Sequence, residues 1–285
     1  MKSLLLLLLF IPILGFSQYT AIPDENFEQA LIELGYDKVI DGKVLTENID
    51  TIDTLKIAYQ YISDLTGIEA FNALTYLDCS KNELTSLDVS KNTALTYLEC
   101  NDNQLTSLDA SSCTALTTLI CNDNQLTSLD ASSCTALTTL GCSNNQITSL
   151  DLSSCTALTT LYCGENDLTT LNVSNNTALD WLYCGSNQLT SLNLSKNTAL
   201  NFLNCSENQI TSLDASSCTA LTDLDCGANQ LTSLDASSCT ALTGLGCSNN
   251  QLTSLDVSNN TALTDLGCSG NKFDCEALKA KYNIK

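Results

Sequence analysis

Apolar residues recur along most of the chain with a period of 21 residues, and the polar residues between them recur with the same period. One copy of the repeat, residues 95–115, reads LTYLECNDNQLTSLDASSCTA. Nine copies follow one another from Leu74 to Ala262 without insertion or deletion, and a tenth begins at Leu263 and breaks off near Phe273. A fixed period of about 20–29 residues predicts a solenoid, in which each repeat forms one coil and stacks on its neighbours.

The first half of each repeat is predicted to form a short strand. Its fourth position is always leucine and its sixth is always cysteine, and this spacing places both side chains on one face of the strand. An asparagine follows three residues after each cysteine, where the chain leaves the strand and its backbone groups need hydrogen-bonding partners. We expect the stacked asparagine side chains to join each coil to the next. In steps of 21 residues, the columns run from Leu77 to Leu266, from Cys79 to Cys268 and from Asn82 to Asn271.

The second half of each repeat supplies further inward positions, which in one coil are Leu105, Leu108, Ala110 and Ala115. A single coil cannot bury these residues, so the coils must stack and align their strands in a parallel sheet. The predicted fold is an α/β-type solenoid, curved into a right-handed arc with the parallel sheet on its concave side. The convex side is expected to be turn-rich, with helical caps at both ends.

The repeat skeleton is that of leucine-rich-repeat proteins, and the motif LTxLxCxxNxLTSLDxSxxTA resembles the bacterial proteins of the internalin type. Within that family it is similar to the subgroup with 21-residue repeats and a cysteine in the strand, and it covers about two thirds of the chain. The resemblance implies a leucine-rich-repeat horseshoe and a secreted or surface-displayed module for adhesion and recognition. It does not identify a partner.

The beginning of the chain is typical of a secretory signal peptide, residues 1–17. Lys2 precedes an apolar run that ends in the small residues Gly15 and Ser17. Because this run is too short to span a bilayer, cleavage before Gln18 is expected rather than membrane anchoring.

Residues 18–54 are predicted to form an N-terminal cap that covers the open end of the first coil. The apolar spacing after Asp24 indicates a helix that begins at this N-cap and ends at Gly35. Residues 39–45 indicate a small hairpin around an Asp-Gly turn.

The repeats are predicted to occupy residues 55–273. Their first coil is atypical, because it has a 22-residue step and lacks the cysteine. Residues 274–285 lose the repeat pattern and are predicted to form a short helical C-terminal cap.

The charge of the chain excludes several classes of function. The chain contains 32 acidic residues, 11 lysines, no arginine and no histidine, for a net charge of −21. Nucleic acids and anionic membranes would be repelled, so neither is an expected partner. Without histidine or arginine the usual general base and phosphate clamps are missing, and we expect neither catalysis nor a cofactor.

The chain contains 16 cysteines, of which ten form the column in the strands. Neighbouring strands lie about 4.8 Å apart with parallel side chains, whereas a disulfide needs Cβ atoms about 3.8 Å apart that point towards each other. We therefore predict that the ten ladder cysteines are buried free thiols. Because collinear cysteines cannot close a tetrahedron, a metal site on this ladder is disfavoured.

A second cysteine column alternates with asparagine. This alternation suggests partial exposure and makes adjacent pairs in the column the better candidates for disulfides. The sequence assigns no role to Cys275. The second column contains Cys113, Cys134, Cys155, Cys218 and Cys239, with asparagine at Asn92, Asn176, Asn197 and Asn260.

An acidic column follows the second leucine of each return segment. A serine two residues later favours an Asx turn, which either aspartate or asparagine can make. The alternative is a calcium site, because carboxylates that repeat at about 5 Å repel one another, although one oxygen per coil is a poor cage for roughly six to eight ligands. The column contains Asp88, Asp109, Asp130, Asp151, Asp214, Asp235 and Asp256, with Asn172 and Asn193 in the middle.

The residues on either side of the strand leucine are predicted to point away from the core and to form the concave face. Most are small or acidic, but aromatic residues gather on three consecutive strands and, as a smaller pair, near the start of the repeats. Aromatic residues suit strands in general, yet a soluble monomer gains nothing from exposing their rings. The candidate ligand-binding residues are therefore Tyr162, Trp181, Tyr183, Phe202, Tyr76 and Tyr97.

These features predict a secreted, monomeric, non-catalytic protein that uses its concave face for recognition or adhesion, without membrane insertion. The flanking residues Asp180, Glu165, Glu207 and Asp225 favour a ligand with basic or hydroxyl-rich groups. A protein segment is the first expectation, and a glycan stacked on the rings is the second. A structural role in an extracellular matrix or surface layer is a further alternative.

Overall fold

The repeats form one parallel sheet, in a computed structural model that describes residues 18–284. Eleven strands lie in chain order, and each pairs in parallel with the next. Equivalent repeat positions face each other, so that Leu77 pairs with Leu98 and Tyr76 with Tyr97. The predicted parallel-strand solenoid is confirmed. The strands are β3 (Thr54–Lys56), β4 (Tyr76–Asp78), β5 (Tyr97–Glu99), β6 (Thr118–Ile120), β7 (Thr139–Gly141), β8 (Thr160–Tyr162), β9 (Trp181–Tyr183), β10 (Phe202–Asn204), β11 (Asp223–Asp225), β12 (Gly244–Gly246) and β13 (Asp265–Gly267).

The core runs through the coils behind the sheet. In one coil Leu98, Cys100, Leu105 and Leu108 are buried, and the equivalent residues of the other coils are buried as well. The return segments consist mainly of turns. The expectation that Ala115 faces inward is wrong, because Ala115 lies at the exposed corner of a turn.

Each ladder asparagine links its own coil to the preceding one. Nδ2 of Asn124 donates to the backbone oxygens of Cys100 at 3.0 Å and Cys121 at 3.2 Å. Its Oδ1 accepts from the backbone nitrogen of Leu105 at 3.0 Å. The same bonds recur in neighbouring coils, which confirms the predicted role of this column.

The chain turns off each strand through a residue in the left-handed region. The φ angle is 54° at Asp102 and 53° at Asp123, and the equivalent residue of every later coil also has a positive φ. A non-glycine residue costs about 1–2 kcal/mol in this conformation. The hydrogen bonds of the asparagine that follows offset this cost.

The second cysteine column is fully buried, so the expected partial exposure is wrong. Its thiols are free and face backbone oxygens of the preceding coil, as Sγ of Cys113 does at 3.5 Å from Val89 O. Asn176, at the same position of another coil, donates from Nδ2 to Leu152 O at 3.1 Å. Asparagine is tolerated there because it donates to the same carbonyl groups. The correction covers Cys113, Cys134, Cys155, Cys218 and Cys239, together with Asn92, Asn176, Asn197 and Asn260.

The asparagines of this second column differ from the ladder asparagines in one respect. Oδ1 of Asn92, Asn176, Asn197 and Asn260 is buried without a hydrogen-bonding partner among the described residues. A thiol at the same position leaves no such acceptor. Asparagine donates hydrogen bonds here but leaves one acceptor unpaired, whereas cysteine makes weaker contacts and leaves none unpaired. The two residues are therefore expected to stabilise this position to a similar degree.

The strand ladder is free and buried at nine of its ten cysteines. The prediction is wrong at Cys268, which forms a disulfide with Cys275. Among residues 18–284 no strand follows β13, and helix α2 (Cys275–Tyr282) begins at this point. The sulfur of Cys275 can therefore approach Cys268 from the side that, for the other ladder cysteines, is occupied by the next strand of the sheet.

Burial keeps the remaining thiols of the ladder protonated. It raises the pKa of Cys142 to about 12 and that of Cys184 to about 12. A thiolate is the reactive form of cysteine, so these side chains are inert core residues rather than nucleophiles.

The N-terminal segment contains the predicted helix α1 (Glu25–Glu33), whose N-cap Asp24 accepts a hydrogen bond from the backbone of Phe27. The expected hairpin over residues 39–45 is wrong. Strand β2 (Lys43–Leu45) instead pairs antiparallel with β1 (Tyr19–Ala21).

A buried carboxylate explains why the Asp-Gly turn does not form a hairpin. Glu28 on α1 accepts hydrogen bonds from the backbone nitrogens of Asp41, Gly42 and Lys43 at 2.9–3.0 Å. These bonds hold the turn against the helix. The strand that follows then meets the N-terminal strand.

The C-terminal helix α2 begins after its N-cap Asp274, which accepts from the backbone of Ala277. The predicted signal peptide, residues 1–17, lies outside the described residues, and the segment bounds at 18–54, 55–273 and 274–285 stay predictions. No helix within the described part of the chain is long and apolar enough to cross a membrane.

Alkylation should distinguish the buried thiols from the disulfide. We expect few labels on the native protein, because all 14 free cysteines are buried. Denaturation without reductant should expose these 14 thiols, and reduction should raise the total to the full 16, as counted by mass spectrometry. Disulfides between strand cysteines in the denatured, unreduced protein would contradict the geometry of the ladder.

Two asparagine substitutions should differ sharply in stability. Asn176→Cys should change the free energy of unfolding by about 1 kcal/mol or less, because it removes an unpaired acceptor and keeps a donor. Asn166→Cys should destabilise by about 2 kcal/mol or more, because Asn166 accepts from Ile147 N and donates to Cys142 O. Urea denaturation measures both values. Equal losses would show that the two columns do not differ as described.

Candidate binding surface

The sheet face consists of the residues on either side of the strand leucine in β4–β13. Their side chains point away from the core, as β9 illustrates with exposed Trp181, buried Leu182 and half-buried Tyr183. Strands β6 and β7 present threonine at the position before the leucine. The aromatic residues therefore stand out from a face whose other positions are mostly threonine, glycine or acidic.

The aromatic cluster consists of Tyr162, Trp181, Tyr183 and Phe202, and the structure brings these four residues together. The rings of Trp181 and Phe202 are stacked, with centroids 3.8 Å apart and planes inclined by 6°. Tyr162 lies 6.4 Å from Trp181 at an angle of 48°. Tyr162 and Trp181 are each 37% exposed, so both rings present part of their surface to solvent.

Gly164 makes room for the fourth ring. The ring of Tyr183 occupies the space that a Cβ atom at Gly164 would need. Burial, and then the carboxylates of Glu165 and Glu207, raise the pKa of Tyr183, so the phenol stays neutral. The repeat pattern alone does not single out Gly164, although a residue without a side chain beside an aromatic column is a usable signal.

The smaller pair, Tyr76 and Tyr97, is stacked at 4.3 Å but lies apart from the aromatic cluster. Three threonines separate the pair from Trp181 along the same row of the sheet face. Tyr97 donates to Glu99 at 2.6 Å, and Nζ of Lys56 lies 5.3 Å from the centre of the Tyr76 ring. The structure thus separates the six candidate residues into two groups, and the polar groups of the smaller one are partly engaged.

A depression of about 360 Å³ adjoins the aromatic cluster on the side of Phe202. Gly244 and Gly246 form part of its floor, and the side chains of Asp223 and Asp225 line it. From the sequence, Asp225 is expected to favour a basic or hydroxyl-rich ligand, but the depression and the part that Asp223 and the glycines play in it are not predicted. The feature of the sequence that indicates this depression is the occurrence of glycine at three of the four sheet-face positions of β12 and β13.

Family comparison agrees with the repeat architecture. The family described as Leucine Rich repeats (2 copies) matches residues 93–134, 135–176 and 198–239. Internalin J of Listeria monocytogenes is 42% identical over 71 residues, which are 25% of this chain and 8% of that protein.

Solved structures extend the similarity over most of the chain. The functional domain of InlJ from Listeria monocytogenes, which includes a cysteine ladder, is 37% identical with a TM-score of 0.74. The match covers 90% of this chain and 63% of the InlJ domain. This chain is an internalin-like leucine-rich-repeat protein.

A second internalin structure supports the fold alone. InlF from Listeria monocytogenes is 23% identical, with a TM-score of 0.59 and coverage of 93% of this chain and 95% of InlF. The internalin-like chain spans less than two thirds of both InlJ matches. Activities and partners of those whole proteins therefore reach this chain only as proposals.

The acidic column of this internalin-like protein forms Asx turns. Oδ1 of Asp130 accepts from the backbone nitrogen of Ser132 at 2.9 Å, and Asn172 makes the same bond to Ser174 at 3.1 Å. Hydrogen bonds from the hydroxyl and the backbone of Ser132 lower the pKa of Asp130. In residues 18–284 no group of three or more potential metal-ligating side chains is placed to hold an ion. The same turn is made by Asp88, Asp109, Asp151, Asp214, Asp235 and Asp256.

Asp130→Asn should leave the fold intact, because Asn172 and Asn193 already make this turn. We expect a change of about 0.5 kcal/mol or less in the free energy of unfolding. The melting temperature should be the same in calcium and in chelator for both proteins. A calcium-dependent rise in the wild type that Asp130→Asn reduces would instead support the calcium alternative.

Proposed function

We propose that this protein binds a protein partner through the sheet face, with the aromatic cluster at the centre of the contact. Leucine-rich-repeat proteins of the internalin type generally mediate protein–protein interactions. They are typically binding proteins without catalytic activity, and we propose the same for this chain.

The observation that carries the proposal is the stack of exposed Trp181 on half-buried Phe202. Aromatic side chains supply much of the binding energy at protein interfaces, above all when they are buried at the centre of the contact. Stacking against each other and rising from paired strands, these rings are held in place before a ligand arrives. Less conformational entropy is then lost on binding, which raises the affinity that a given contact area provides.

The geometry of the rings favours a protein segment over a glycan. Sugars pack against the open faces of rings, and the stack of Trp181 on Phe202 leaves each of these two rings with one such face instead of two. Their edges, together with Tyr162, instead form a raised apolar strip. Side chains of a polypeptide can pack against both flanks of this strip.

We also propose that the protein is secreted by means of the signal peptide at residues 1–17. Internalin homologues are surface or secreted bacterial proteins, which supports this location. An extracellular partner or a partner on another cell is the corresponding expectation. A role in a matrix or surface layer would require self-association, which concentration-dependent light scattering measures.

Trp181→Ala should weaken binding to a protein ligand by about 2 kcal/mol or more while changing the melting temperature little. Its physical reason is the loss of the central ring from the contact. A peptide library displayed on phage and selected on the wild-type protein supplies ligands, and titration calorimetry measures their affinities.

The matched control is Tyr61→Ala, because Tyr61 is 72% exposed and precedes the regular repeats. This control should bind the selected ligands as tightly as the wild type does. Ligands that bind Trp181→Ala and Phe202→Ala with unchanged affinity would place the site elsewhere. Selection of glycans but not peptides on the same face would favour the glycan alternative.

A further inference from the structure

One wall of the depression beside Phe202 is the face of that ring on which Trp181 does not stack. Trp181 stacks on one face of Phe202. On the other side the paired residues are Asp223, then Gly244, then Asp265. The second face of the Phe202 ring therefore borders a space that is lined by carboxylates and open to a ligand.

The glycines of the floor are required by the position of the carboxylates. A Cβ atom on Gly244 would lie 2.8 Å from Oδ1 of Asp223, and one on Gly246 would lie 2.8 Å from Oδ1 of Asp225. Both carboxylates thus lean across β12, which carries no side chain on this face because both outward positions are glycine. This arrangement keeps the depression open and directs oxygen atoms into it.

Two of these carboxylates retain free hydrogen-bonding capacity. Asp225 is engaged through Oδ1, which accepts from Gly227 N at 2.9 Å. Asp223 accepts from the hydroxyl of Thr222 through Oδ2 at 2.9 Å, which leaves Oδ1 over Gly244. The carboxylate of Asp265 has no hydrogen bond or ion pair with any residue between 18 and 284.

No lysine among residues 18–284 forms an ion pair with the carboxylates of the depression. Within the described residues the one ion pair joins Lys43 to Asp41 in the N-terminal segment. At the N-terminal end of the sheet face, however, Nζ of Lys56 lies 5.3 Å from the centre of the Tyr76 ring. On the sheet face, a lysine of the described residues thus lies over the ring of Tyr76, whereas none lies over Phe202 beside its carboxylates.

We propose that the bound protein segment carries a lysine or arginine whose side chain occupies this depression. Its stem packs on the free face of Phe202 and its cationic group pairs with Asp223, while Asp265 adds negative charge across β12 and the rest of the segment lies along the aromatic cluster. This inference rests on the proposed function and adds the chemistry of the partner. It is favoured by charge complementarity, because the chain has a net charge of −21 and the depression is lined by carboxylates.

A metal ion fits the depression less well than an organic cation. Asp223 and Asp265 are on strands separated by β12, so their backbones are two strand spacings, or roughly 9.6 Å, apart. A divalent ion needs its oxygen ligands within about 2.6 Å. A lysine or arginine carries a single charge and needs direct contact with only one of these carboxylates, and its stem can contact the ring at the same time.

The test uses the fluorescence of Trp181, because it is the only tryptophan of the chain and stacks on Phe202. The probes are the blocked peptide acetyl-SKSKSKS-amide and the same peptide with every lysine acetylated. We expect the lysine peptide to bind at least about tenfold more tightly, since acetylation removes the charge. Equal affinities, or no measurable binding of the lysine peptide, would overturn the proposal.

Paired variants separate the depression from the general negative charge of the protein. The double variant Asp223→Asn with Asp265→Asn should reduce the affinity for the lysine peptide about tenfold. The control, Asp130→Asn with Asp151→Asn, changes the total charge equally but alters the acidic column of the return segments, and it should reduce affinity far less. Phe202→Leu should also weaken binding, because it keeps an apolar side chain but removes the π face. Equal losses in the double variant and its control would refute a specific cation site.

The peptide ligands selected on the wild-type protein distinguish this inference from the proposed function. Ligands that require Trp181 but contain no enriched lysine or arginine, and bind the Asp223 and Asp265 double variant normally, would overturn the inference alone. Ligands that do not require Trp181 would count against the proposed function, whatever their charge. Enrichment of basic residues that is lost when selection uses the double variant would support both.

Discussion

A buried side-chain amide holds each coil of this solenoid to the one before it. The strands are only three residues long, so their own hydrogen bonds leave much of each coil unpaired. Backbone bonds between coils continue beyond the strand, as from Cys100 N to Ile120 O, and where the chain turns the ladder asparagine accepts from one backbone nitrogen and donates to carbonyl groups in two coils, as Asn124 does. Because the bonds fix the offset between coils, they also fix the register of the strands. The rows of the sheet face, including the stack of Trp181 on Phe202, depend on that register.

The two cysteine columns meet different packing requirements with the same side chain. In the strands the thiol is a small apolar group that fills the space behind the sheet, where burial suppresses its ionisation. In the second column the thiol faces backbone carbonyl groups, and asparagine replaces it without loss of those contacts. Only the last rung becomes a disulfide, because there a helix rather than another strand approaches the sulfur. A disulfide thus forms where the stack of strands ends, and the large number of cysteines in the chain does not by itself lead to more disulfides.

The periodic part of the fold could be predicted because each residue of a column has nearly the same surroundings as its neighbours in the column. The leucine, cysteine and asparagine columns, and the pairing of like with like, follow from the sequence for that reason. The ends of the solenoid do not share this property. The pairing of β1 with β2 depends on the hydrogen bonds of Glu28 to a distant turn, and the partner of Cys268 depends on where the last helix begins. Neither contact recurs in other coils, so the repeat pattern of the sequence does not predict it.

The aromatic cluster could be predicted from its alternation with leucine, but the space around it could not. That space depends on residues without side chains, such as Gly164 beneath Tyr183 and Gly244 beside Asp223. The sequence also gave no reason to separate Tyr76 and Tyr97 from the larger cluster by function. The distinction appears only when the hydrogen bond of Tyr97 to Glu99 and the lysine over Tyr76 are seen.

The two aromatic groups of the sheet face are separated by coils that carry threonine, so the distance between the groups depends on the number of these coils. Residues 101–119 and 122–140 have the same sequence, and each coil moves the sheet forward by one strand spacing, about 4.8 Å. Recombination between such copies would add or remove a whole coil and leave every asparagine bond and every register intact. The two aromatic groups would then shift apart or together in fixed steps. The number of coils, and with it the spacing of the two aromatic groups, can therefore change in evolution without any change in the aromatic residues themselves.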